Sequence, residues 1–277
     1  MELKMAGIRR QCSYSPNHIE NDTLLLLKTA EELVGMGVDV KIYNEEDVPN
    51  IKFQEPIIFS MAQGVKANEK LDTMIDEGKM IINPPRSVLN CHRTNMVKIL
   101  LEKEIPFPQS YIVDVLEPNT IHFDEFGSSK MWIKRGDVHA EHREDVTLCF
   151  SEEEKKSILR EFGRRGIDKA VLQEHVEGDV IKFYSINHYQ LFHWYYLNGT
   201  NHTKFDKVEL KRLADLSADA LGLEIYGGDA VISPDGEITL IDVNDWPSFA
   251  PIRDEASKHI AKLIYNKAVD YVGRNKN

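Results

Sequence analysis

Asp229, Asp242 and Asn244 are the residues of this chain whose types and spacing most clearly suit chemistry. The stretch Asp229–Ser248 reads as a β-hairpin, with apolar and β-branched residues in two runs and a Pro234-Asp235-Gly236 turn between them. Asp242 and Asn244 stand two residues apart, so both side chains leave the same side of the second strand. Asp229 opens the first strand, and antiparallel pairing across so short a turn brings it alongside Asp242. Two carboxylates and an amide oxygen converging on one face make a hard, oxygen-only donor set, of the kind Mg²⁺ takes when it also holds phosphates. The competing reading is an ordinary hairpin with an acidic outer face.

The rest of the chain has to position that set. Its 277 residues suit one multi-lobed enzyme or two small domains, and 42% hydrophobic with 29% charged residues is a globular balance. A net charge of −11 argues against general binding of nucleic acid or anionic membranes. No run approaches a membrane span, and Met1–Met5 lacks a signal-peptide core. Cys12, Cys91 and Cys149 have no metal-like spacing and cannot all pair, so a reducing cytoplasm is expected.

Strands are expected at Leu3–Ile8, Val38–Tyr43, Pro56–Met61 and Lys79–Asn83, alternating with helices at Asn17–Met36 and Ala67–Glu77. That alternation predicts a parallel sheet covered by helices, without the G-x-G-x-x-G of a dinucleotide site. Arg9 and Arg10, at the end of the first strand, read more readily as solvated surface charges than as ligands. A helix over Thr94–Glu104 ends at Ile105-Pro106-Phe107-Pro108, and strands follow at Tyr111–Val115 and Met131–Arg135. Residues 116–129 are polar and turn-rich, and 136–145 read as a charged surface loop. Arg135, His139, His142 and Arg143 there either meet an anion or face solvent. Ser151 and Glu154 form a capping box for a helix over Ser151–Gly163. Beyond it come a buried strand at Lys169–Val176, a pair at Val180–Asn187 and Tyr189–Tyr196, and helices at Val208–Leu221 and Ile252–Val272.

Four motifs in fixed order resemble the ATP-grasp superfamily, in the style of a ribosomal-modification ligase or glutathione synthetase, from about Ile81 onward. Asn83–Thr94 precedes a helix whose start carries a phosphate-binding lysine in the family; Arg93 stands there in this chain. Lys134 matches the strand lysine placed on the α-phosphate and adenine edge. Its following loop has only Gly136 where the family's is glycine-rich. Val171–Asp179 matches the adenine hinge, implying Gln173, Glu174 and Val176 around the base and Asp179 on the ribose. Lys182 falls near the basic residue facing the transferred phosphoryl group. Asp229, Asp242 and Asn244 match the metal ligands, and Asn244–Ser248 matches an Asn-x-x-Pro-Gly turn with serine for glycine.

The resemblance implies an α/β ATP-grasp fold: an N-terminal Rossmann-like pre-ATP-grasp domain (1–88), a central lobe (89–176) and a C-terminal lobe with the metal hairpin (177–277). The two lobes would clamp ATP with Mg²⁺ or Mn²⁺. It implies an ATP-dependent carboxylate–amine (or thiol) ligase acting through an acylphosphate, with Lys182 and Arg93 as catalytic residues and a small-molecule or peptide carboxylate plus an amine as substrates. No nucleic-acid or membrane partner is implied, and a homodimer is the default assembly. The rivals are a small-molecule kinase of the inositol-phosphate type on the same fold, and a non-catalytic nucleotide-binding regulator. Arg9, Arg10, His193, Tyr195, Lys204 and Arg253 are candidates for an acceptor pocket, though each also suits surface or packing. His193, between Phe192 and Trp194, reads first as a structural histidine.

Overall fold

A computed structural model describes residues 3–15, 19–116, 130–137, 142–186, 191–197 and 202–274. Lys4–Arg9 (β1), Asp39–Asn44 (β2), Ile57–Ser60 (β3) and Met80–Ile82 (β4) form a parallel sheet ordered β2-β1-β3-β4. Parallel neighbours need crossovers, and Ile19–Gly35 (α1) and Val65–Asp76 (α2) supply two of them. Alternation along β1 sends Met5 to the core beneath α1, with Leu25, Leu26 and Leu33. It sends Ala6 and Ile8 to the opposite core beneath α2, with Leu71 and Met74.

Two helices, Pro85–Asn90 (α3) and Arg93–Glu102 (α4), lead to the second sheet. The short α3 has proline at its first position and was not expected from the sequence. Ser110–Asp114 (β5), Met131–Arg135 (β6), Val146–Cys149 (β7) and Lys169–Glu174 (β8) pair antiparallel in the order β5-β8-β6-β7. Met131, Ile133, Ala170 and Leu172 pack under Glu152–Arg164 (α5) through Leu159 and Phe162. Period two then leaves Trp132, Lys134 and Gln173 on the open face. The start of α5 has the expected capping box: Ser151 Oγ accepts the Glu154 N–H at 3.2 Å, and Glu154 accepts that of Ser151 at 3.3 Å. Ser151→Ala should lower unfolding free energy by about 1 kcal/mol in urea melts and leave the far-ultraviolet circular dichroism of the folded protein unchanged.

The third sheet is antiparallel, ordered β10-β9-β11-β12, from Asp179–Ile186 (β9), Phe192–Tyr196 (β10), Ile225–Ile232 (β11) and Ile238–Asp245 (β12). Its apolar face packs on Lys207–Leu221 (α6), where Ile181, Phe183, Ala230, Leu240 and Val243 meet Leu210, Leu213 and Ala214. Strict alternation would put Leu240 and Val243 on opposite faces, yet both are fully buried in this core. The register explains it: Asp229 pairs with Asp242 but Ala230 pairs with Leu240, so Ile241 is an extra residue, a β-bulge.

Arg253–Arg274 (α7) returns to the first sheet and lies along α1, with Ile260, Ala261 and Ile264 sharing the core of Met5 and Leu25. All three cysteines are free. Among the described residues no helix is long and apolar enough to cross a membrane.

Candidate active site

Strand register lays the site out as a grid on the face of the third sheet opposite α6. One row across the four strands reads Tyr195, Lys182, Asp229, Asp242. The next reads His193, Tyr184, Gly227, Asn244. The bulge keeps Asp242 and Asn244 on this face while Leu240 and Val243 stay in the core. At Gly227 a Cβ would lie 2.9 Å from the Pro247 ring and 3.0 Å from that of Tyr184, so only glycine fits between them.

Lys182 Nζ lies 2.9 Å from Asp229 Oδ1. Burial lifts the Asp229 carboxyl above its ordinary range; Lys182 pulls it back only in part, and the facing Asp242 pushes it further up. Burial opposes the charge on Lys182, but Asp229 and Asp242 outweigh it and hold the ammonium above its ordinary pKa. The two carboxylates face each other, with Lys182 on the far side of Asp229 and the cations of Lys134 and Arg93 within electrostatic reach of Asp242. Among the described residues no three His, Cys, Asp or Glu side chains group to hold a metal ion. The set here is two carboxylates and one amide, which suits a hard cation that takes its remaining oxygens from phosphates and water.

A cleft of about 580 Å³ opens between the second and third sheets, and Arg93, Lys134, Gln173, Glu174, Val176, Asp229 and Asp242 all line it. Trp132, Val146, Val180, Val231 and Ile241 give it apolar walls, the bulge having turned Ile241 inward beside Asp242. Lys134 donates to the Ile241 carbonyl at 3.3 Å. Its ammonium is pushed down to about 8 by burial, with Asp242 and Asp229 opposing and Arg93 adding to the fall. Arg93, at the first position of α4, is buried, donates to the Arg135 carbonyl at 3.3 Å, and has its pKa lowered by burial. Gln173 Nε2 donates to Ser110 Oγ at 3.1 Å. The Glu174 N–H is taken by the Gln109 carbonyl at 2.9 Å, so Glu174 can meet a ligand edge only through its carbonyl. Gly178 carries φ of +153°, and a Cβ there would sit 2.1 Å from the Ile232 carbonyl, which explains a glycine at this end of the hinge.

A second cleft, of about 540 Å³, lies between the first and third sheets. Arg93, Asp229 and Asp242 line both clefts, which therefore meet at the row of charges. Lys182, Asn244, Tyr184, Tyr195, Tyr14 and Ser248 complete this second wall.

Several expectations need correction. Asp179 lines neither cleft, its carboxylate accepting the Thr203 N–H at 2.6 Å, while Glu177 lines the first cleft and pairs with Lys130 and His175. Arg10 is no solvated surface charge, since its side chain is 9% exposed and its guanidinium pairs with Asp22 at 3.0 Å. Arg135 does not await an anion; it is buried between Asp137 at 2.7 Å and Asp145 at 3.3 Å. His142 is exposed, while His139 and the side chain of Arg143 lie outside the described residues. Of the acceptor-pocket candidates, Arg10 and Tyr195 line the second cleft; Arg9, His193, Lys204 and Arg253 do not. Trp132 was overlooked, although its place two residues before Lys134 puts it on the same strand face; its indole donates to His175 Nδ1 at 3.0 Å.

No protein-family model matches the chain, and no curated protein does. Solved structures do. A D-alanine–D-alanine ligase from Bacillus anthracis complexed with ATP superposes with TM-score 0.74 at 13% identity, covering 100% of both chains. A RimK domain ATP-grasp protein from Sphaerobacter thermophilus gives 0.71 at 14%, covering 95% of this chain and 99% of that one. The ATP-grasp ligase PsnB, complexed with a minimal precursor, gives 0.64 at 12%, covering 96% and 99%. At these identities the likeness is one of fold, and it runs the length of the chain.

Proposed function

Because the chain has the ATP-grasp fold, we propose that it is an ATP-dependent ligase joining a carboxylate to an amine through an acylphosphate. The observation that carries this reading is the meeting of two clefts at Arg93, Asp229 and Asp242. One cleft suits a nucleotide: apolar walls for a base, backbone groups at Glu174 and Val176 for its edge, and Lys134 and Arg93 for phosphates. The other opens onto the far side of the same charged row, where an acceptor would face the γ-phosphate. In this reading residues 1–88 form the acceptor-side unit, while 89–176 and 177–277 are the lobes that close on ATP. Free cysteines suit a reducing cytoplasm.

Catalysis is then positioning and charge neutralisation. Asp229, Asp242 and Asn244 would hold Mg²⁺, whose contribution when bound is to neutralise the β- and γ-phosphates. Lys182, in the same row, stabilises charge on the transferred phosphoryl group. A carboxylate oxygen attacks the γ-phosphorus, the bond to the β-bridging oxygen breaks, and ADP leaves. An amine then attacks the acyl carbon, phosphate departs, and the nitrogen loses a proton to give the amide.

An ADP-release screen over carboxylates paired with amines should identify active pairs. With the active carboxylate and hydroxylamine in place of the amine, a hydroxamate is expected. ADP release with a stable phosphorylated product and no hydroxamate would instead assign a kinase. Nucleotide binding without ADP release across the panel would assign a regulator.

A further inference from the structure

Asn244 leads directly into a turn in which Trp246 and Phe249 carry φ of +34° and +47°. Residues with a Cβ resist this left-handed region and keep it only where their surroundings over-determine it. Here the first sheet supplies the surroundings. Arg10 donates to the Asp245 and Trp246 carbonyls at 3.4 and 3.1 Å, and is itself held by the Met61 carbonyl at 3.1 Å and Asp22 at 3.0 Å. The Trp246 indole is fully buried and stacks on Phe59 of β3, with ring centroids 6.3 Å apart. Gln63 Nε2 donates to the Asp245 carboxylate, and both residues are at most 3% exposed.

Gln63 is seated in turn by Glu45. One oxygen of that buried carboxylate accepts the N–H groups of Gln63 at 2.9 Å and Gly64 at 2.5 Å; the other accepts that of Gln11 at 2.7 Å. A buried polar chain therefore runs from Glu45 through Gln63 to Asp245, whose neighbour in sequence is Asn244. The Gln63–Asp245 bond is buried at the edge of the second cleft, where losing a partner is costly.

We infer that Gln63 is a positioning residue for the cation site: its bond to Asp245 holds the strained turn, and through it Asn244, in line with Asp229 and Asp242. The inference rests on the reading of those three as metal ligands. It makes the first sheet part of the apparatus that builds the cation site, beyond any contact it has with an acceptor.

The test uses Mn²⁺ as the probe, followed by electron paramagnetic resonance on the full chain with a non-hydrolysable ATP analogue present. Gln63→Met keeps the bulk and removes the donor. It should weaken Mn²⁺ binding by about ten-fold or more, while affinity for the analogue in EDTA stays as in the wild type. The paired change Gln63→Glu with Asp245→Asn reverses donor and acceptor across the same contact and should return Mn²⁺ affinity close to that of the wild type. Wild-type Mn²⁺ affinity in Gln63→Met overturns the inference, and so does loss of analogue binding together with Mn²⁺. If Gln63→Met does not fold, the paired variant decides alone: folded protein with weak Mn²⁺ binding overturns it. Asp242→Asn in the same titration separates the two levels. If it leaves Mn²⁺ binding intact, the metal assignment falls and takes this inference with it; if it abolishes binding while Gln63→Met binds Mn²⁺ as the wild type does, only the role of Gln63 falls.

Discussion

Asp242→Ala is expected to lower turnover on the order of a thousand-fold, the ~4 kcal/mol of charge stabilisation that a metal clamp supplies. The expectation comes from the place of Asp242 in the grid. It is the one carboxylate that faces Asp229 across the ladder and lines both clefts together with Arg93. Its neighbours Leu240 and Val243 anchor β12 in the α6 core, so losing the carboxylate leaves the strand in place. Far-ultraviolet circular dichroism and the melting temperature should therefore stay near wild type, as should binding of adenosine, which has no phosphates. Full activity in Asp242→Ala would falsify the assignment of this face as the phosphate-bearing one.

Nucleotide binding should depend steeply on pH in the alkaline range, through Lys134. Burial pushes its ammonium from the ordinary 10.5 down to about 8 in the free protein, where Asp242 and Asp229 offset the burial only in part. Phosphates bound beside it favour the charged form and raise that value, so binding takes up a proton wherever free Lys134 has lost one. In EDTA, affinity for ADP should be level below about pH 8. Above it, affinity should fall toward ten-fold per pH unit. Calorimetry in buffers of different ionisation enthalpy should show net proton uptake that grows across the same interval. Lys134→Met should bind ADP weakly at every pH and lose the slope; a slope that survives the substitution would move the titration to another group. The sign for stability is opposite. The folded protein binds fewer protons than the unfolded chain between about 8 and 10.5, so Lys134 contributes a rise in stability as pH climbs through that range.

The site was legible in the sequence wherever it depends on strand periodicity. Asp242 and Asn244 share a face because they are two apart, and Lys134 with Trp132 obeys the same rule. What periodicity could not give is the extra residue at Ile241, which changes the sheet's phase midway through β12. Nothing local marks a bulge inside a run of Ile, Leu and Val. Burial of charge was equally hidden. Arg10 looks like any cation after a strand, and its four acceptors lie on segments up to 236 positions away. Glu45 and Gln63 show no motif either, since Glu45 binds main-chain N–H groups, which every residue but proline offers. Asp179 shows the converse: a carboxylate at the offset expected for a ribose contact accepts the Thr203 N–H from a neighbouring segment.

The return of α7 to the first sheet also bears on how the molecule is made. Met5, Leu25, Leu26 and Leu33 are translated early, yet one side of their core is closed by Ile260, Ala261 and Ile264, which leave the ribosome more than two hundred residues later. Until then the first sheet presents an apolar side to solvent, and contacts of such long sequence separation form slowly. The α6-covered sheet, whose core draws on residues from Cys91 to Val243, can be complete before α7 emerges. Synthesis thus imposes an order in which the unit built on the first sheet is translated before the α6-covered sheet and finished after it, and a chain that pauses before residue 253 exposes a surface for chaperones or proteases.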